Sequence, residues 1–402
     1  MLEQSAFFRA IVSWVFPIGL FALLTGMFWV GDRSLYHKVY YALLVLPVFI
    51  YSCARFSHVR RLLVEPLLVI FCCFAAYVML TLLWSADAEA SKVKHALYIF
   101  CLFVATGVLA VQQPHLLPRV VLAATGFAVV WALAYLLLYF VQADWGSRLS
   151  GAGALYNPLL TSHVYGFFAA VLMASLCVSK QYRLAQLCAL LLVFGLLLLT
   201  GSRTPFVGLI AVLVSLLVMQ GSVRLLLQVM GFGALSVLAV GVTWLYAPDL
   251  PLFDRGFSYR PAIWLDSWRQ IQDAFWFGHG YSSDMEVVVK RPDGSDYFLA
   301  DPHNLTLGVM YQTGLVGALL WLAMYAYAFV AAWRWRQHPW VVVTASVVMF
   351  GFVAGMTEGS SFLSRPKEHW FLIWLPLALH FAALLVARAQ GSSAPSVMPQ
   401  RG

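Results

Sequence analysis

Twelve runs of mostly apolar residues follow one another along the 402-residue chain, near 11–30, 39–54, 63–84, 94–111, 119–143, 158–178, 184–199, 205–219, 223–246, 303–333, 340–357 and 370–388. A helix that crosses a bilayer needs about 20 such residues, so each run predicts a spanning helix, the second, seventh and eighth being short. Hydrophobic side chains make up 62% of the sequence and charged ones 10%, whereas a soluble domain is about 45–50% apolar. The expected fold is all-α, a polytopic integral membrane protein of about 12 transmembrane helices. Residues 1–390 read as one membrane domain without internal repeats, and the small, polar stretch 391–402 reads as a disordered tail.

An even number of spans puts both termini on one side. With that side taken as cytoplasmic, the inner segments hold twelve basic and two acidic residues, a net +10, and the outer segments hold the other thirteen basic and fifteen acidic, a net −2. This is the positive-inside pattern. The overall balance of +8 therefore reports topology and gives no support to a nucleic-acid partner. Inner connections are short, and neither a GxxxxGK[ST] nor a Rossmann glycine pattern occurs, so no nucleotide partner is expected. All six cysteines fall in or at the ends of predicted spans, which suggests neither a disulfide framework nor a thiolate metal site. HExxH and GxSxG are absent, and Asp293, Asp296 and Asp301 lack the D-x-D-x-D-G spacing of a calcium loop. No metal and no cofactor are expected. The N-terminal run is too long for a signal-peptide core and lacks a small-residue cleavage site, so it reads as a retained span.

The longest connection, residues 247–302 between the ninth and tenth runs, exceeds what a connector needs, and loops of that size are usually functional. Beyond Pro261, Trp264, Trp268, Ile271 and Phe275 recur at helical spacing while Asp266, Arg269, Gln270 and Asp273 take other faces. That pattern predicts an amphipathic helix at the outer membrane interface, where tryptophan rings are well accommodated.

Three arginines on the outer side stand beside starts of helices. Arg203 lies in TGSRTP, where Thr204 and Pro205 read as cap and first position of the next helix, so that a guanidinium stands beside backbone N–H groups in a setting that attracts phosphate. Arg260, in SYRPAIW, repeats the arrangement, and two such places suit a diphosphate. Arg148 precedes the glycine-rich stretch before Asn157–Pro158 and is a weaker third. In DPHNLTLGVMYQTG, Asp301 is expected to cap the tenth helix and Pro302 to begin it, with His303 and Asn304 in the first turn. Histidine accepts a proton readily near neutral pH, and Asn304, Asp301 or a loop carbonyl would fix its second nitrogen. Glu358, Arg365, Lys367 and Glu368 in the last outer loop read as a solvated, mutually screened group.

Taken together, the twelve runs, the large loop, TGSRT, RPAIWLDSW and PHNLTLGVMYQTGLVG resemble the O-antigen ligase family, whose polymerase relatives share the C-terminal half of the pattern. The resemblance implies a glycosyltransferase of the GT-C class in the bacterial inner membrane, acting in lipopolysaccharide biosynthesis. It would move a glycan from undecaprenyl diphosphate to a sugar of the lipid A core, with inversion and without a metal. The family's two arginines fall on Arg203 and Arg260, its histidine on His303, and the residue that commonly follows on Asn304. A polymerase would use the same groups on a second undecaprenyl-linked glycan, while a lipid flippase would need repeat symmetry or midplane charges that the sequence lacks.

Overall fold

The computed structural model describes residues 6–142, 146–221, 223–246, 259–290, 295–359 and 361–392. Fourteen helices among them are α1 (Ala6–Trp29), α2 (Arg33–Ala54), α3 (Phe56–Leu62), α4 (Pro66–Thr81), α5 (Val93–Gln112), α6 (Leu116–Gln142), α7 (Pro158–Val178), α8 (Arg183–Leu199), α9 (Thr204–Gln220), α10 (Val223–Tyr246), α11 (Arg260–Asp273), α12 (Leu305–Arg334), α13 (Pro339–Gly355) and α14 (Trp374–Ser392). Every predicted apolar run falls on one of them. Seven helices are long and apolar enough to cross a membrane, eight if α3 and α4, which meet at 89°, count as one span. The bend sits at Pro66, which cannot donate to the turn before it and holds Glu65 extended. The final helix runs to Ser392, and the predicted tail beyond it lies outside the described residues.

Burial separates inner from outer helices. In α7 83% of the best apolar window is buried, and in the segment containing α14 94%, against 33% in α6, so the first two form the axis of the bundle. Small residues let the axis close: Phe350 of α13 fills the space over both Gly166 of α7 and Gly208 of α9, where an added Cβ would overlap its ring. The opposite face of α9 shows Val207, Ile210, Val214 and Val218 at helical spacing, all exposed. Such a stripe is the face a helix turns to lipid.

The predicted amphipathic helix is α11, and its buried face is Ile263, Ser267 and Ile271. Trp264 and Phe275 pack against that face as expected, whereas Trp268 faces outward with Leu265. What the helix packs on was not foreseen: an antiparallel hairpin of β1 (Val287–Lys290) and β2 (Asp296–Leu299). Ile263, Ile271, Met285, Val287, Val289 and Tyr311 make a small core of their own, joining this unit to the start of α12.

The tenth run, predicted as one continuous helix, is broken inside α12 at Gly314, whose φ of 64° is open to glycine at little cost. Residues 275–280 lie across the break and take its backbone groups. Leu315 N donates to Phe275 O (2.8 Å), His279 N to Tyr311 O (2.9 Å) and Gly280 N to Gln312 O (2.9 Å). Tyr77 Oη donates to Thr313 O at 3.1 Å. A broken helix is tolerated at membrane depth when its freed N–H and C=O groups find partners in this way.

Candidate active site

Asn304 is the N-cap of α12: its Oδ1 accepts from Thr306 N (3.0 Å) and Leu307 N (3.1 Å). This corrects the expectation that Asp301 caps the helix and that His303 and Asn304 form its first turn. Asp301 makes a tighter turn, its Oδ1 accepting from the His303 backbone N at 2.8 Å. The outcome is a histidine just outside the helix with φ of 46°, a left-handed conformation uncommon for a side-chain-bearing residue. Strain of this kind gathers at functional sites, where surrounding contacts hold it in place.

Those contacts also settle which nitrogen is engaged. His303 Nδ1 lies 3.1 Å from Asp301 Oδ1 and 3.8 Å from Glu358 Oε2. Both are electrostatic contacts, the hydrogen bond to Asp301 Oδ1 being made by the His303 backbone N. With two carboxylates facing Nδ1, the proton of the neutral ring belongs there, and Nε2 keeps the lone pair. The His303 side chain is 35% exposed, while that of Glu358 is 4% exposed.

Glu358 was not among the residues singled out by sequence, which placed it in a solvated group with Arg365, Lys367 and Glu368. In the structure it is buried at the end of α13 and makes an ion pair with Arg260, the first residue of α11. Glu368 is buried as well and pairs with Arg33 at 3.4 Å. Of the four, only Arg365 is exposed. A buried carboxylate is costly unless paired, and each acid here has its arginine.

Arg203 joins the same neighbourhood through the backbone. It is the N-cap of α9, with Thr204 and Pro205 as the first two helical residues, one position off the expected cap. Thr204 Oγ1 accepts from Thr357 Oγ1 at 3.2 Å, and Thr357 precedes Glu358. The Arg203 side chain is exposed at this junction. Arg148 reaches the turn between α8 and α9, its Nε donating to Thr200 O at 2.6 Å and its side chain lying over Gly201. Arg260 and His303 thus meet at Glu358, with Asp301 against His303, and Arg203 precedes the Thr204–Thr357 contact. Arg148 lies against Thr200 and Gly201, three and two residues before Arg203, and Asn304 serves as a helix cap and not as the orienting partner of His303. Asp293 lies outside the described residues.

The chain was compared with known proteins. A family model described as O-antigen ligase matches residues 188–322, a stretch holding Arg203, Arg260, Asp301, His303 and Asn304. An O-antigen ligase of Pseudomonas aeruginosa is 42% identical over 387 residues, which is 96% of this chain and 94% of that protein. The chain belongs to the O-antigen ligase family. Arg148 and Glu358 lie outside the stretch matched by the O-antigen ligase model. What ties Glu358 to the matched stretch is contact: it pairs with Arg260 and lies 3.8 Å from His303 Nδ1.

Proposed function

We propose that this membrane protein transfers a glycan from undecaprenyl diphosphate to a hydroxyl of the lipid A core, at the periplasmic face of the bacterial inner membrane. The charge asymmetry of the sequence supports that orientation, with both termini cytoplasmic. The observation that carries the chemistry is His303, with Nδ1 held by Asp301 and Nε2 left to take a proton. As the acceptor oxygen bonds to the anomeric carbon, its proton passes to His303 Nε2. The bond from that carbon to the diphosphate breaks, and its electron pair leaves with the phosphate. Attack from the face opposite the leaving group inverts the centre.

Negative charge builds on the departing diphosphate, and the groups suited to meet it are Arg260, Arg203 and the N–H groups at the start of α9. A guanidinium carries five N–H donors in a fixed fork, a geometry matched to phosphate oxygens. On this reading the transfer needs no metal and no cofactor. Glycan transfer by purified protein in liposomes tests it, with lipid-linked donor and either lipid A core or a second donor as acceptor. Product on lipid A core is expected, and His303→Ala should cut turnover about 10²–10⁴-fold while donor binding persists. Elongation of the second donor alone would make the protein a polymerase.

A further inference from the structure

The outer side of the chain is negative on balance, yet one part of it is positive. Segments 31–38, 85–94 and 359–369 hold six basic and four acidic residues, while the rest of the outer side holds seven basic and eleven acidic. The three segments meet in one corner. Arg33 at the start of α2 pairs with Glu368 at 3.4 Å, and His37 Nε2 lies 3.0 Å from Pro366 O. Tyr40 Oη donates to Tyr98 O of α5 at 2.6 Å, and the rings of Tyr41 and Tyr98 stand 4.6 Å apart. Tyr281 Oη closes the third side, donating to Leu363 O at 3.0 Å and lying 3.3 Å from His95 Nδ1.

Most acids of the corner are engaged: Asp32 caps α2, Glu89 pairs with Lys92 at 3.2 Å and Glu368 holds Arg33. Arg365 is exposed and Lys94 half-buried, and neither has an acid partner among the described residues. Arg365 acts electrostatically on His37 and Tyr41 of α2 and on His95 of α5, so its charge bears on rings from both helices. The four charges acting on the His95 ring are all cations, Arg365, Lys94, Lys92 and Lys367. Beside Lys94, Val93 and Leu97 lie exposed one turn apart, an apolar row of the kind a helix shows to lipid. Free cations above such a row match an amphiphile with an anionic head.

We propose that Arg365 and Lys94 form the docking surface for phosphate groups at the lipid end of the glycolipid acceptor. The guanidinium fork matches phosphate oxygens, and the ammonium adds a point charge beside it. The assignment rests on the glycan-transfer reading above and adds where the acceptor is anchored. The donor diphosphate has its own cations in Arg203 and Arg260, at the starts of α9 and α11. Corner and base share one loop: Arg365 is seven residues on from Glu358, which bounds their backbone separation to about 25 Å. A head of several sugars covers such a distance, so the anchor and the reacting hydroxyl occupy different places.

Acceptor and donor KM are to be measured in phosphatidylcholine liposomes, where lipid A core and the donor are the only anionic lipids. Arg365→Gln and Lys94→Gln should each raise the acceptor KM about 3–10-fold, with donor KM unchanged. Added salt should raise the acceptor KM of the wild type more than that of the double variant, a difference that a merely structural role would not produce. Lipid A core stripped of its phosphates should bring wild type and variants to the same KM. Unchanged acceptor KM in both variants, or a shift confined to the donor, would overturn the docking surface while leaving the ligase reading intact. A defect seen only when phosphatidylglycerol is added would give the surface to phospholipid and overturn the acceptor assignment. Wild-type protein that transfers only to a second donor would overturn both readings.

Discussion

Two acids ten residues apart on one loop make matching arrangements with different access to solvent. Glu358 pairs with Arg260 and lies 3.8 Å from Nδ1 of His303, while Glu368 pairs with Arg33 and lies 3.6 Å from Nδ1 of His369. Both acids have side chains 4% exposed, but His303 is 35% exposed and His369 14%. His369 also sits 5.9 Å from the buried ring of His163, and Gly359 packs against its edge. One set of residue types therefore serves two ends. At Glu358 the imidazole opens outward and can meet a substrate, whereas at Glu368 it is enclosed and ties the last loop to the start of α2.

The largest difference is expected between the two histidines. His303→Ala should lose about 10²–10⁴-fold in kcat with little change in thermal stability, as befits an accessible base. His369→Ala should do the reverse: a lower Tm and a kcat within a few-fold of wild type. Equal losses of kcat in both would erase the distinction between the clusters. The acids come next. Glu358→Gln keeps the shape and removes the charge, and should lower kcat ~10–100-fold. That is less than the about 10⁴-fold known for a triad deprived of its only orienting carboxylate, because Asp301 still holds Nδ1. Glu368→Gln should leave kcat alone and lower Tm, since it strands the guanidinium of Arg33.

The first cluster was partly legible in the sequence because its members stand next to strong local signals. Arg203 and Arg260 precede prolines that open helices, and His303 stands at the mouth of a long apolar run. Glu358 carried no such mark. It sits among charges that resemble a solvated loop, and its burial comes from α11 and the start of α12 closing over the end of α13, contacts between segments far apart in the chain. The break at Gly314 was hidden for the same reason: a single glycine in an apolar run is ordinary, and only the strap at 275–280 makes it a fracture. The hairpin could have been found. VVVKRPDGSDYFL places β-branched residues before Asp-Gly, a known hairpin signal, inside a segment taken for irregular loop.

The arginines should differ by a smaller margin. Arg260→Lys keeps a charge beside Glu358 but loses the fork, and about a tenfold fall in kcat/KM for the donor is expected. Arg33 has a side chain 39% exposed and pairs at 3.4 Å, so Arg33→Lys should be close to neutral. Donor titrations at fixed acceptor read both variants, and a donor defect in Arg33→Lys would move the second cluster into the substrate site.

The smallest effect belongs to Lys367, the residue before Glu368. Burial pushes its ammonium below the ordinary lysine value of 10.5, Glu368 pulls it back up, Arg33 pushes it down again and Asp301 raises it, with a net fall. In the unfolded chain the lysine keeps its ordinary value. Between the lowered value and 10.5 the unfolded state therefore binds more protons than the folded one, and stability rises with pH across that window. Below the lowered value both states are protonated and the slope vanishes. Lys367→Met removes the titrating group, so the Tm of the wild type in detergent should climb relative to the variant as pH rises from the lowered value toward the ordinary lysine value of 10.5. Parallel curves would mean that this ammonium is as well hydrated as any surface lysine. The loop around Glu368 would then be open to water, and exposure would no longer separate the two clusters.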